Sequence, residues 1–204
     1  MIAIRDYGVG NLFSLQSSFK AVGYQTVVTG DKEIIAKADK LILPGVGAFP
    51  DASEKLFSSG LADVVKEQVA LGKPLLGVCL GMQLLFSESH EYGVSPGLGL
   101  IDGKVVFIDI PKEYKIPHIG WNALQFKKQS PLLKYVKEGD CVYFVHSYHA
   151  VDCENSLVAT AEYSKDLTAI VQKGNVFGCQ FHPEKSGQVG LNILKAFCEI
   201  GGEL

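Results

Sequence analysis

From Ile2 to Val78 the chain alternates short apolar runs with apolar stripes at helical spacing, and this alternation limits the possible folds more than any other feature. Ile2 to Ile4 reads as a strand, after which Leu12, Leu15, Phe19 and Val22 recur about one turn apart until Gly23 supplies a stop. Gln25 to Val28 predicts a second strand, Asp31 to Ala38 a short helix, and Leu41 to Leu43 a third strand. Leu61, Val64, Val65, Gln68 and Val69 form another stripe, ended by Gly72, and Leu75 to Val78 is the next buried strand. Strands separated by helices require right-handed crossovers and a parallel sheet covered on both faces.

Beyond Gly103 the strands come at closer spacing: Val105 to Ile108, Trp121 to Phe126, Val142 to Val145, Leu157 to Tyr163, Ala169 to Gln172 and Val176 to Phe181. Some of these should pair antiparallel, with Lys173-Gly174-Asn175 as a hairpin turn. A last amphipathic helix, from Gln188 to Cys198, carries Val189, Ile193, Leu194 and Phe197. The expected fold is therefore α/β, an open, mixed and largely parallel sheet flanked by helices. No linker or repeat interrupts it, so one domain over 1–204 is expected.

A net charge of −3 leaves no electrostatic footprint for nucleic acid or an anionic membrane. Pro74 to Phe86 is the longest strongly apolar stretch and is too short to span a bilayer. Met1 leads straight into Ile2-Ala3-Ile4 without a basic region and long apolar stretch, so a cytoplasmic protein is expected. The five cysteines are odd in number and include no Cys-x-x-Cys pair, which argues against a disulfide framework or a thiolate zinc site. Four of them read as small buried hydrophobes.

Cys79 reads differently. Gly77-Val78-Cys79-Leu80-Gly81 follows an apolar strand and precedes the helix-like Met82 to Phe86, a Gly-x-nucleophile-x-Gly elbow with cysteine in place of serine. A sharp strand-to-helix turn crowds the backbone, which is why glycines flank it. A sulfur at a helix N-terminus also feels the positive end of the dipole, which favours thiolate. After the strand ending at Phe181 comes His182-Pro183-Glu184. Proline and its pre-proline neighbour favour extended backbone, so His182 and Glu184 can project to one side. His182 is then a candidate base and acid for Cys79, and Glu184 the group that fixes its tautomer. Oxyanion donors are expected from the backbone N–H of Leu80 and from the loop Pro44-Gly45-Val46-Gly47, with Val46 as its candidate. His146 and His149, three apart beside a strand, should point to opposite faces, and His118 and His90 lack ligand-like company; no metal site and no cofactor are expected.

The elbow and the His-Pro-Glu segment together resemble the triad-type class I glutamine amidotransferases. Asp6 to Leu12, Pro44 to Phe49, Gly97 to Ile101, Pro117 to Asn122, Tyr143 to Tyr148 and His182 to Ser186 are similar to the glutaminase subunit of imidazole glycerol phosphate synthase within that class. The resemblance implies a Cys79, His182, Glu184 triad, with Gly47, Gln83, Glu91, Ser147 and Tyr148 around the glutamine. Glu91 would bind the α-ammonium. Asn11, Trp121, Tyr143 and Lys185 would face a cyclase subunit, a (β/α)₈ barrel, in a heterodimer that supplies ammonia for histidine biosynthesis. His90 departs from the acidic residue expected beside Glu91, and Trp121 could alternatively be core. The alternatives are a glutaminase subunit of another synthase (anthranilate, pyridoxal phosphate or purine pathway), a stand-alone γ-glutamyl hydrolase, and a non-catalytic binding module.

Overall fold

The computed structural model describes residues 1–6 and 12–201. Its first half runs β1 (Ile2–Arg5), α1 (Leu12–Ala21), β2 (Thr26–Thr29), α2 (Lys32–Lys37), β3 (Lys40–Leu43), α3 (Phe49–Ser58), α4 (Leu61–Ala70), β4 (Leu75–Val78) and α5 (Leu80–Gln83). The second half runs β5 (Glu88–Ser89), β6 (Ser95–Pro96), β7 (Lys104–Phe107), β8 (His118–Phe126), β9 (Cys141–His146), β10 (Tyr148–Val151), β11 (Leu157–Tyr163), β12 (Lys165–Lys173), β13 (Val176–Cys179) and α6 (Gly187–Glu199).

Among the described residues nine strands form one sheet, in the order β2-β1-β3-β4-β13-β12-β11-β8-β9. The pairs from β2 to β13 are parallel, and those from β13 to β9 antiparallel. This is the mixed sheet flanked by helices that the strand spacing predicts. The hairpin at Gly174 is present, with Lys173 opposite Val176 and Gly174 at φ +58°. Each face of the sheet buries its own core. Leu15 and Phe19 of α1 pack with Ile193, Leu194 and Phe197 of α6 on one side. Ile35, Phe49, Leu56 and Val65 from α2, α3 and α4 cover the other.

Three features differ from expectation. Helix α3 was not foreseen, although Phe49, Ala52 and Leu56 make a helical stripe that is fully buried; Pro50 sits in its first turn, where proline is tolerated. A second sheet of four strands, β10-β7-β5-β6, includes two strands of only two residues, too short to leave an alternation signal. The helix after Cys79 stops at Gln83 instead of reaching Phe86. The N–H groups of Leu98, Leu100 and Gly99 bond to the carbonyls of Leu84, Leu85 and Phe86 and so anchor the following turns. Gly97 is needed at that docking point, since a Cβ there would lie 2.1 Å from Phe86 O.

Candidate active site

The fold brings the elbow and the His-Pro-Glu segment together through one pair of neighbouring strands. β4 and β13 are parallel, with Gly77 opposite Gly178 and Val78 opposite Cys179. Both chains leave the sheet at their carboxyl ends, where ligands bind in open α/β sheets. Cys79 N–H bonds Cys179 O at 2.8 Å, which ties the elbow to the strand that delivers His182.

Cys79 has φ +54° and ψ −113°, a conformation that few non-glycine residues adopt. Its neighbours explain how the turn closes. A Cβ on Gly81 would lie 1.8 Å from Leu43 O, and one on Gly77 would lie 2.7 Å from Gly81 O. Leu80 opens the short helix α5, so its N–H is among the donors without an intrahelical partner. With four residues, α5 supplies only one turn of aligned dipoles to the sulfur, less than the longer predicted helix would.

His182 Nδ1 donates to Glu184 Oε1 at 2.8 Å, and both side chains are nearly inaccessible. Glu184 Oε2 has no hydrogen-bond partner among the described residues. Burial opposes protonation of His182, but hydrogen bonds to Cys79 and Glu184 outweigh it and hold the imidazole pKa well above its ordinary value. His182 is thus coupled to the sulfur on one side and the carboxylate on the other. Tyr143 O accepts from His182 N–H at 3.0 Å, while Ser186 Oγ donates to His182 O at 2.6 Å and accepts from Tyr143 N–H at 2.9 Å. Helix α6 backs the segment closely, because Gly190 leaves room for Pro183 O.

A cavity of about 440 Å³ opens over Cys79 and His182. Val46, Gly47, Leu80 and Gln83 line it, and Gly47 has φ +97° in the loop after β3. Glu91, Ser147, Tyr148 and Lys185 line it as well. Glu91 is not a surface residue: it is 8% exposed, its Oε2 accepts from Phe49 N–H at 2.8 Å, and burial raises its pKa. Gln83 Nε2 donates to Tyr148 O and to Gln180 Oε1, each at 3.0 Å.

Trp121 is 54% exposed and therefore is not core. Its ring meets Tyr143 edge-on at 5.9 Å, and Lys185 Nζ lies 6.0 Å from the Tyr143 ring centre. These three form one patch beside the cavity, on adjacent strands β8 and β9 and the turn after His182. Asn11 lies outside the described residues.

Sequence reasoning passed over one group near the sulfur. Gln180 Nε2 points at Cys79 Sγ from 3.9 Å. Its position two residues before His182 on an extended chain was the available signal, since alternate residues share a face. His118, read from the sequence as without ligand-like company, has hydrogen-bonding neighbours in the fold: its Nδ1 lies 3.0 Å from His146 Nε2, and its Nε2 lies 2.8 Å from Asn122 Oδ1. The pair results from the β8/β9 register, which places His118 opposite His146. His146 ends β9 while His149 belongs to β10 in the other sheet, so the two do not share a strand.

A buried nucleophile coupled to an imidazole that a carboxylate orients is suited to acyl transfer through a covalent intermediate. The sequence profile described as glutamine amidotransferase class-I matches residues 3–200. The chain belongs to this family. Within it, the chain is 52% identical to the imidazole glycerol phosphate synthase subunit HisH of Caldanaerobacter subterraneus subsp. tengcongensis, covering 98% of each. It is also 52% identical to the HisH subunit of Geobacillus thermodenitrificans, covering 98% of this chain and 96% of the relative. Among solved structures, a glutamine amidotransferase superposes with a TM-score of 0.78 at 20% identity over 99% of each chain. PurLQS from Thermotoga maritima gives 0.74 at 19% identity over 97% of each. At those identities the two structures speak for the family's fold alone.

Proposed function

We propose that this chain is the glutaminase subunit of an imidazole glycerol phosphate synthase, acting in histidine biosynthesis. The enzymatic assignment rests on the Cys79, His182, Glu184 arrangement, and the choice of synthase on identity near one half along the full length of the HisH relatives. Cys79 thiolate attacks the carboxamide carbon of glutamine, and backbone N–H groups at Val46 and Leu80 hold the oxyanion. His182 gives its proton to the departing nitrogen, the C–N bond breaks, and a γ-glutamyl thioester remains. Water then attacks with His182 as base and releases glutamate. Gly47, Gln83, Ser147 and Tyr148 surround the substrate, and Glu91 takes its α-ammonium.

The Trp121, Tyr143, Lys185 patch, with Asn11, is the surface for the synthase's other subunit, a cyclase of (β/α)₈ form in a cytoplasmic heterodimer. Ammonia leaves through that surface, because protonation in bulk water would end its nucleophilicity. Rotation of a peptide in the Pro44 to Gly47 loop would let the partner control the oxyanion donors. Glutamate release is to be measured for the chain alone, with the cyclase subunit, and with that subunit plus its nucleotide ligand. A rise of about a thousandfold across the series corresponds to about 4 kcal/mol of differential affinity. Equal rates in all three would refute gating, and no glutamate in any would refute the glutaminase assignment.

A further inference from the structure

At the Glu91 end of the cavity stand two aromatic side chains that the steps above do not use, Tyr92 and Phe107. β7 and β10 pair antiparallel with Phe107 opposite Tyr148, and the two rings meet edge to face at 5.4 Å. β5 runs parallel to β7 with Ser89 beside Val105, so the chain leaving β5 carries Glu91 up to the level of Phe107. Tyr92 follows at φ +52° and Gly93 at φ +117°, a left-handed turn at the cavity mouth. Left-handed backbone is unfavourable for a bulky side chain, and such strain persists where function or packing demands it. Packing is a poor explanation here, because Tyr92 is 85% exposed. Phe107, at 50%, also leaves much of its ring uncovered.

We infer that Tyr92 and Phe107 are specificity-determining residues that, with the Tyr148 ring, form an aromatic rim beside the Glu91 carboxylate and select substrates carrying a cationic α-ammonium. The inference rests on the glutaminase reading of this cavity and deepens it. One Glu91 oxygen is committed to Phe49 N–H, and among the described residues Glu91 is the one carboxylate lining a cavity that Lys185 and His182 also line. An ammonium in this cavity therefore has one anionic partner, Glu91. The faces of aromatic rings attract cations, and a carboxylate among such rings adds its charge to theirs. The Tyr148 phenol has its pKa raised by burial first and then by the nearby Glu91 and Tyr92, in keeping with their clustering. A substrate with no ammonium gains nothing from this end.

The test is alkylation of Cys79 in the full chain by 6-diazo-5-oxo-L-norleucine, which carries the α-ammonium of glutamine, compared with iodoacetamide, which does not. Tyr92→Ala and Phe107→Leu should each raise the half-saturating concentration of the diazoketone about two- to fivefold. Its limiting rate and the iodoacetamide rate should stay as in the parent, and Tyr92→Phe should behave as the parent. Unchanged half-saturation in both variants would overturn the rim, as would a parallel change in the limiting rate and the iodoacetamide rate. A parent chain that iodoacetamide alkylates at Cys79 but the diazoketone does not would overturn the glutaminase reading itself.

Discussion

The elbow and the wall that faces it are built on opposite plans. At the elbow, backbone meets backbone: Gly81 against Leu43 O, Gly77 against the Gly81 carbonyl, and Cys79 strained between them. The facing wall comes from the small sheet β10-β7-β5-β6 and the chain leaving β5, where Glu91, Phe107 and Tyr148 present side chains and Phe107 stays half exposed. Backbone crowding has no partial solution, whereas a side-chain wall can lose one member and keep the rest. In the proposed function, chemistry that depends on the position of one sulfur sits on the first plan, and recognition of a small zwitterion on the second. Substitutions should then be all-or-none at the elbow and graded at the wall.

The largest effect is expected for Cys79→Ala, which removes the nucleophile while alanine keeps the same backbone demands. Glutamate release should fall to background and the thermal midpoint should hardly move. Appreciable turnover would end the covalent mechanism. Next comes Gly81→Ala. A methyl 1.8 Å from Leu43 O can be accommodated only by shifting backbone, so a stability loss above about 3 kcal/mol is expected in denaturant titration. A variant as stable as the parent would show that crowding does not define the elbow.

His182→Asn should cost roughly the hundredfold to ten-thousandfold that proton transfer contributes, and Glu184→Gln less, because orientation is lost but the proton carrier remains. The sign of the accompanying shift is fixed. Glu184 is one of the two partners raising the His182 pKa, so its neutralisation must lower it. An NMR titration of the imidazole in the two forms reads this directly, and an unmoved pKa would break the link between the carboxylate and the imidazole. At the wall, Glu91→Gln should raise KM for glutamine about ten- to hundredfold, the range for a hydrogen bond to a charged group, with little change in kcat. A kcat loss as deep as at His182 would erase the contrast between the two regions.

Most of the parallel half was legible in the sequence because β1, β3 and β4 are buried along their whole length and α1 and α4 carry apolar stripes; β4 begins and ends as its apolar run does. The elbow and the His-Pro-Glu segment were legible for a related reason, since glycine and proline report backbone requirements directly. The wall was not. Glu88-Ser89 and Ser95-Pro96 are strands only because the second sheet recruits them, and no local pattern marks a two-residue strand. The His118–His146 contact depends on a register between strands whose alignment no single segment encodes. Glu91 entered through family resemblance, whereas the hydrogen bond that holds it comes from Phe49 N–H at the start of α3, a helix that follows the glycine loop.

The smallest expected effect concerns His149, which belongs to the wall's sheet but faces away from the reaction. Its side chain is buried, neither ring nitrogen has a partner among the described residues, and burial followed by the charge of Lys165 depresses its pKa to about 4. In the unfolded chain the same imidazole titrates near its ordinary value of about 6.5. Between those two values the unfolded state binds more protons than the folded one, so stability is complete above about pH 6.5 and is lost as pH falls towards 4. From pH 7.5 to 5.5 the loss from this one group should be about 1 kcal/mol. His149→Leu removes the titration and the unpaired nitrogens together, so urea midpoints of the variant and the parent should diverge on acidification, the variant falling less. The divergence should vanish above neutrality except for a constant offset. Parallel curves across the whole range would mean that His149 is hydrated or paired in solution, and that the wall's sheet is looser around β10 than its burial indicates.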